Sequence, residues 1–531
     1  MKFKLYFIIF LFFFPLIIVC QDKYYIIYFK DKNQKGIDIS ECLSEKAIDR
    51  RLRDNIEFDQ IDLPVNKEYI AEICSVSKDS EIILTSRWLN CAVIKCGSET
   101  SFNYDFISQI FIIDLDSKLS DNKTDEENIP EYEELDLISF NYGACEAQYR
   151  LVNGIYLHNE GYTGKNVTIA VIDDGFYGVN NASYPFKNTN IIGTKNFITN
   201  TNVYSANAGY HGTMCLSLLA ANLPGLIIGT APNANYLLLK SEDTSFESIL
   251  EEYAWVAAAE YADSCGVDII SSSLNYTEFD DPSTSHTYDK LDGKSCPITI
   301  GAEIAASRGI IVVNSAGNYG NSPWKYIGAP ADGANVIAVG GVSADSSYYH
   351  VSSIGPTADN RFKPDLCALG SQVTVLYPLS GTGIFEMSGT SFAAPVIAGF
   401  TACVMEANPN ISSTKIKSSL YSSCHQKDSP NNQTGRGIPD FQKTLRYAGV
   451  EIYKKPDVNI YPNPCSDYII ISSIDEIKRI EILSINGSQL LSLENSTVNN
   501  ITIRLNEIKD KILIVKITLF DNVYYQKIMK E

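Results

Sequence analysis

Between about residues 140 and 450 one pattern recurs, and it limits the possible folds more than any other feature of the chain. Largely apolar runs, VTIAVID (167–173), ANYLLLK (234–240), VDIISSSL (267–274) and GIIVVNSAG (309–317), alternate with helical stretches such as ESILEEYAWVAAAEYA (247–262) and PITIGAEIAASR (297–308). A strand without a polar face has to be covered on both sides. Strands of that kind, separated by helices, predict an α/β domain with a doubly wound parallel sheet. In such sheets the reactive groups collect at the carboxyl ends of the strands.

The flanks read differently. Apolar runs at 24–29, 81–86, 88–95 and 110–115, with helical patterns at 44–54 and 98–108, give the order βαββαβ, a ferredoxin-like α+β unit over 21–115. Residues 114 to 136 hold ten Asp or Glu against Lys118 and Lys123, so 116–138 reads as an acidic, solvated linker. After Gly449 helical periodicity fades, and about seven short β-rich runs fill 451–531, the pattern of a small β-sandwich. The expected organisation is therefore a leader (1–20), an N-terminal unit (21–115), a linker (116–138), a central α/β domain (139–450) and a β tail (451–531).

The leader, MKFKLYFIIFLFFFPLIIVCQ, places Lys2 and Lys4 before fifteen apolar residues broken by Pro15, which is too short for a stable membrane span and reads as a signal peptide. Cleavage after Cys20 would leave Gln21 first. The formal charge of -20 lacks the basic face that nucleic acid requires. The thirteen cysteines are scattered. Cys91 and Cys96 are five positions apart on one strand, hence about 16 Å apart on opposite faces and unable to pair with each other. No HExxH or clustered CxxC pattern proposes zinc.

Three short segments carry the chemistry: VIDDG (171–175), HGTMC (211–215) and SGTSFAAP (388–395). An acid at a strand end, a histidine followed by glycine and a serine opening an apolar helix together supply a general-base relay for an activated hydroxyl. Gly212 and Gly389 are expected where backbones approach closely at a crowded cleft. Ser391, early in a helix through FAAPVIAGFTACVMEA, would have free backbone N–H groups beside it that favour developing negative charge.

These segments resemble the three signature motifs of the subtilisin-like serine proteases, the subtilases. The resemblance implies a subtilisin-like fold and an exported serine endopeptidase, a hydrolase, with Asp173, His211 and Ser391 as catalytic residues and Asn318, from SAGN (315–318), as the oxyanion donor. It implies a substrate-binding strand at Ser272, Ser273, Leu274 and Asn275, facing a pocket wall of Ser315, Ala316 and Gly317. Asn275 departs from the family, which has glycine there. The pattern V-I-D-x-G selects Asp173 over Asp174, whose side chain should point to the other face of the strand. Cys215 is expected to be a buried helix residue rather than a nucleophile.

The unit at 21–115 resembles the inhibitory propeptide of subtilases, which implies a zymogen processed within 116–140; a permanently retained N-terminal domain is the alternative. The tail resembles the C-terminal sorting domain of the type IX, or Por, secretion system through NIYPNPCSDYIIIS (459–472), RIEILSINGSQLL (479–491) and QKIMK (526–530), although the usual glycine-tyrosine pair is missing at KDKILIVKI. This implies secretion or cell-surface attachment by way of the periplasm and outer membrane of a Gram-negative bacterium. The partners so implied are protein or peptide substrates, the chain's own propeptide and the type IX machinery; a monomer is expected. No cofactor is required. Calcium as a structural ion has candidate ligands in Asp280, Asp281, Asp289 and Asp292, which turn chemistry explains equally well. Two rival readings remain open: a surface adhesin or binding protein on an inactive protease fold, and a protein that cleaves only itself.

Overall fold

The computed structural model describes residues 23–114, 140–450 and 458–531 apart from short internal stretches, so the leader and the acidic linker lie outside the described residues. The chain divides into two compact units, Met1–Val450 and Glu451–Glu531.

The first unit is built on a seven-stranded sheet. Its order is Leu366–Leu369, Ile337–Val342, Ile311–Ser315, Ile269–Ser272, Thr168–Asp173, Asn235–Lys240 and Asn190–Asn196. Every neighbouring pair is parallel. All six residues of Thr168–Asp173 are buried, because both faces of the strand are covered. On one face Ala170, Ile172, Ile270 and Val312 pack with Trp255, Ala258 and Ile298 from the helices Ile249–Ser264 and Pro297–Ser307. Alternation turns Ile169, Val171 and Asp173 to the other face, where the helices His211–Ala220 and Thr390–Ala407 pack on the sheet and on each other. From the central strand Thr168–Asp173 the chain first builds one side of the sheet, then crosses to add Ile269–Ser272 on the other. That reversal opens a crevice at the carboxyl end of Thr168–Asp173.

The N-terminal part forms an antiparallel four-stranded sheet in the order Glu81–Ser86, Cys91–Cys96, Lys23–Phe29, Ile107–Asp114. Its helices are Glu45–Arg53 and Lys67–Cys74, so the elements run βααβββ. This corrects the expected βαββαβ order: the second helix precedes the hairpin and does not lie at 98–108. Asn66 caps Lys67–Cys74 through Oδ1, which accepts from the Glu68 amide at 2.8 Å, whereas 101–106 is rich in turn-forming Ser, Asn and Asp and uses Phe102 to cover the sheet. Cys91 and Cys96 belong to cores on opposite faces of this sheet, and both are free thiols.

One face of this sheet lies on the helix Ile249–Ser264: Tyr24, Ile26, Leu84, Cys91 and Val93 share a core with Leu250, Tyr253 and Ala254. A buried charge cluster flanks it. Asp263 Oδ2 accepts from Arg51 Nη2 at 2.8 Å and from Arg87 Nη2 at 2.7 Å, while Arg50 bonds the other oxygen. Arg51 also meets Asp62 at 3.0 Å, so a second carboxylate offsets the excess positive charge.

Among its described residues the second unit holds seven strands in two antiparallel sheets, of three (Val458–Tyr461, Tyr468–Ser473, Asn500–Arg504) and four (Gln489–Glu494, Ile477–Ser484, Ile512–Leu519, Val523–Met529). Leu513, Val515, Ile517 and Leu519 face a common core with Ile469, Ile471, Ile480 and Ile482. The period of two is that of strands with one covered face.

Asp263 is expected to hold the N-terminal sheet on its helix. Asp263→Ala in a Ser391→Ala background leaves three arginines short of a buried partner, and should cost about 3–5 kcal/mol in a denaturant titration of the precursor.

Candidate active site

Asp173 ends its strand in the crevice, fully buried, and Oδ1 meets His211 Nδ1 at 2.7 Å. The same oxygen accepts the Asp174 backbone amide at 2.8 Å, which fixes the carboxylate. His211 opens the helix His211–Ala220, its side chain 30% exposed. Helix and strand meet closely because position 212 is glycine: a Cβ there would lie 2.5 Å from the Gly175 carbonyl oxygen and 2.8 Å from Asp173 Cβ. Gly389 is different, since a Cβ would find nothing nearer than Asn318 Nδ2 at 3.4 Å, ordinary contact. The Gly389 backbone does lie against another chain segment, its amide donating to the Gly370 carbonyl at 2.8 Å, but on a side where a Cβ would not intrude.

Ser391 is the second residue of the helix Thr390–Ala407, in the turn whose amides have no intrahelical acceptor. Its carbonyl accepts from Ser273 Oγ at 2.8 Å, and its own Oγ donates to the Ser273 carbonyl at 3.4 Å. Ser391 therefore sits beside the substrate-binding segment expected from sequence. Cys215 joins the two halves: Sγ lies 3.8 Å from His211 Nδ1 and 3.5 Å from the Ser391 carbonyl. Phe392 is also near, its ring centroid 5.9 Å from that of His211. Burial pushes the Cys215 thiol up, so it stays protonated and behaves as the buried helix residue expected. Burial also disfavours the charged form of His211, but the Asp173 carboxylate outweighs it and draws the imidazole well above its ordinary range.

Asn318 is exposed, and Oδ1 accepts from the Thr390 amide at 2.9 Å and from Thr390 Oγ1 at 3.1 Å. With its oxygen so held, Nδ2 is turned toward the mouth of the cleft near Gly389. Asn275 folds across the expected pocket: Nδ2 donates to the Ser315 carbonyl at 2.9 Å and to Ser315 Oγ at 2.7 Å. The two expected walls are thus bridged, where a glycine would leave them apart.

The Asp174 side chain does not point away from His211 as strand alternation predicts: the strand ends at Asp173, and the next carboxylate turns to the first turn of the same helix. Tyr210 offers the helix no side-chain cap, and Asp174 Oδ1 instead accepts the Gly212 amide at 3.0 Å. Burial and the neighbouring Asp173 lift the Asp174 carboxyl to about 6. Lys240 supports the same turn, its Nζ donating to the Ala208 carbonyl at 2.8 Å and to that of Asp174.

The acids proposed for calcium do not converge. Asp281 Oδ1 accepts from the Ser283 amide at 2.9 Å and Asp292 Oδ1 from the Lys294 amide at 3.0 Å, the local turn bonds of such loops. Among the described residues none of these four acids joins a set of three convergent ligand groups. Of the remaining histidines, His158 is buried between Tyr142 Oη and the Thr230 carbonyl, and His286 pairs with buried Glu252. Both are structural.

A family model described as "Subtilase family" matches residues 164–437, which include Asp173, His211, Asn318 and Ser391. The chain belongs to the subtilase family. A second model, the peptidase S8 propeptide domain of Bacteroidota, matches 24–129, and a secretion system C-terminal sorting domain matches 459–531. Serine protease AprX of Bacillus subtilis is 31% identical over 53% of this chain and 67% of its own length. Subtilisin NAT of Bacillus subtilis subsp. natto is 30% identical over 50% of this chain, and the match spans 62% of that relative. A solved structure, MycP1 from Mycobacterium smegmatis, aligns with 65% of this subtilase and 95% of its own chain at 18% identity and a TM-score of 0.46.

The capping role of Asp174 separates two substitutions. Asp174→Asn keeps an acceptor for the Gly212 amide and should leave thermal unfolding nearly unchanged, whereas Asp174→Ala should destabilise the protein by about 1 kcal/mol.

Proposed function

We propose that this subtilase is an exported serine endopeptidase that hydrolyses peptide bonds in proteins. The observation that carries the reading is the 2.7 Å bond from buried Asp173 to His211, formed beside the first turn of the Ser391 helix. Asp173 holds Nδ1 as the protonated nitrogen, which leaves Nε2 as a base. Ser391 Oγ turns from the Ser273 carbonyl, gives its proton to Nε2 and attacks the peptide carbonyl carbon. The oxyanion that forms is held by the Ser391 amide and by Asn318 Nδ2, donors oriented before the reaction starts. His211 then passes the proton to the leaving amine as the C–N bond breaks. Water, activated by the same imidazole, hydrolyses the acyl ester and restores the serine.

The N-terminal unit is read as the inhibitory propeptide, cut within 116–140, and the tail as the signal for type IX secretion to the cell surface or medium. The chain's own propeptide and the secretion machinery are then its partners. No cofactor enters the mechanism. Apolar burial on Ile249–Ser264 and the charges around Asp263 would keep the propeptide on the catalytic domain after the linker is cut.

The test compares the precursor with its Ser391→Ala form, following chain size and hydrolysis of unfolded casein. The active chain should shorten and digest casein, and the alanine form should do neither. A mature chain, free of its propeptide, that leaves casein whole would support self-cleavage alone. Asp173→Asn should lower turnover by about 10⁴-fold, as in other serine protease triads, and Asp174→Asn by less than about threefold, the loss of a charge outside the relay.

The pH profile follows from His211. Protonated imidazole cannot accept the serine proton, so kcat/KM should rise with pH along a limb lying above the 6.5 of an ordinary histidine. Because Asp173 draws that value up, Asp173→Asn should move the limb of the residual activity down.

Asn275 bridges the pocket walls, so small side chains should be preferred immediately before the cut bond. Asn275→Gly should raise kcat/KM for a peptide with Phe there, relative to Ala, by about tenfold.

A further inference from the structure

Past His211 and Asp174 the crevice widens into a cavity of about 430 Å³ that the catalytic roles leave unexplained. It is bounded by the segment 242–247, which follows the strand Asn235–Lys240, and by Leu274 and Asp280. Five of its ten lining residues are acidic: Asp174, Glu242, Asp243, Glu247 and Asp280. Carboxylate oxygens of Glu242, Glu247 and Glu251 lie within 4.8 Å of one another.

Some of these acids have structural duties. Glu251 accepts the Asp243 amide at 2.7 Å and the Ser248 amide at 2.9 Å, and Asp280 accepts the Glu247 amide at 3.1 Å. Glu242 has no such duty at Oε1, which is buried without a hydrogen-bond partner. The nearby cation, Lys240, is committed to the carbonyls of Asp174 and Ala208. A buried, unmatched acceptor among several carboxylates takes up either a proton, which burial and the neighbouring Glu251 and Glu247 favour at Glu242, or a cation from outside the chain.

The position of the cavity says which cation. If the chain is a protease, as proposed above, an extended substrate runs along Ser273–Asn275, with the residue before the cut bond turned toward Ser315–Gly317. Alternate side chains of an extended strand point to opposite faces. The second and fourth residues before the bond therefore turn toward His211, Leu274 and the acidic segment. The geometry points to a specificity pocket in which Glu242 and Glu247 select substrates with lysine or arginine at the second or fourth position before the cleaved bond. A metal ion fits less well, because both Glu251 oxygens are already bound by amides and calcium takes six to eight oxygen ligands.

The pocket's charge depends on pH. Burial, and then Asp280, lifts the Glu247 carboxyl to about 7; burial, with Glu247 and Asp243 among its neighbours, lifts Glu251 to about 8; burial, and then Glu251 and Glu247, holds Glu242 well above the ordinary carboxylate range, so the gain in charge over this interval falls on Glu247 first. The other charged or titratable groups facing them are Asp173, Asp174, His211, Lys240, Glu278 and Tyr319. Raising the pH from 6 to 8 removes protons from Glu247 and Glu251, so selection for a basic residue should strengthen. His211 titrates for every substrate alike, and a ratio of rates removes its contribution.

The experiment uses mature enzyme released from the full precursor and internally quenched peptides that differ at one position, with Lys, Leu or Glu second or fourth before the cut bond. We expect kcat/KM for Lys to exceed that for Leu by about tenfold at one of the two positions, Glu to be poorest, and the Lys/Leu ratio to rise between pH 6 and 8. In Glu242→Gln/Glu247→Gln the ratio should fall to near one, with the loss in KM for the Lys peptide. Glu247→Lys should reverse the order in favour of Glu, an outcome that mere loss of structure would not produce. Cleavage of all peptides with equal ratios would overturn the pocket and leave the protease standing; no cleavage of any peptide would overturn the protease reading itself. A wild-type melting temperature raised by millimolar calcium, with the rise abolished in the double variant and the Lys/Leu ratio unaltered, would make the cluster a metal site and also overturn the proposal.

Discussion

The bond between Asp173 and His211 depends on where a strand ends and a helix begins. Asp173 has no freedom, since its strand is buried on both faces and its Oδ1 is fixed by the next backbone amide. His211 reaches it because Gly212 lets the helix approach to a distance no Cβ would permit. The neighbouring acid, Asp174, caps that helix from the same turn. Two consecutive carboxylates thus do different work: the first orients the imidazole, and the second holds in place the helix that carries it.

A similar division marks the helix Ile249–Ser264. Its sheet-facing side, with Trp255 and Ala258, belongs to the central core, and its other side, with Leu250 and Tyr253, belongs to the N-terminal sheet. This explains why the helix is buried nearly all round. Asp263 near its end gathers arginines from two separate places in the N-terminal unit. A carboxylate shared in this way has value only while all partners are present, so the contact is cooperative.

Much of the central domain was legible because its strands lack a polar face and its motifs are local. VIDDG, HGTMC and SGTSFAAP each carry their own glycine, strand-end or helix-start signals, and these elements form where expected. The N-terminal unit was harder to read. Its helix Lys67–Cys74 is short and only Ile73 is fully buried, so periodicity hardly announces it. The aromatic residues at 102–106, in contrast, imitate a helical face while they pack on a sheet.

Sequence by itself determined the parallel α/β class and the β character of the tail, because each rests on short-range pattern, and it offered Asp173, His211, Ser391 and Asn318 as candidates through the motifs that resemble those of subtilases. Tertiary structure alone decided what Asn275 does: its amide folds onto Ser315, forty residues away in the chain. It alone converted Asp174 into a helix cap, and it alone gathered Glu242, Glu247 and Glu251 beside His211. These are contacts between a loop, a helix and a strand end. Hydrophobic periodicity says which face of an element is buried, but not which polar side chains meet when the faces have packed.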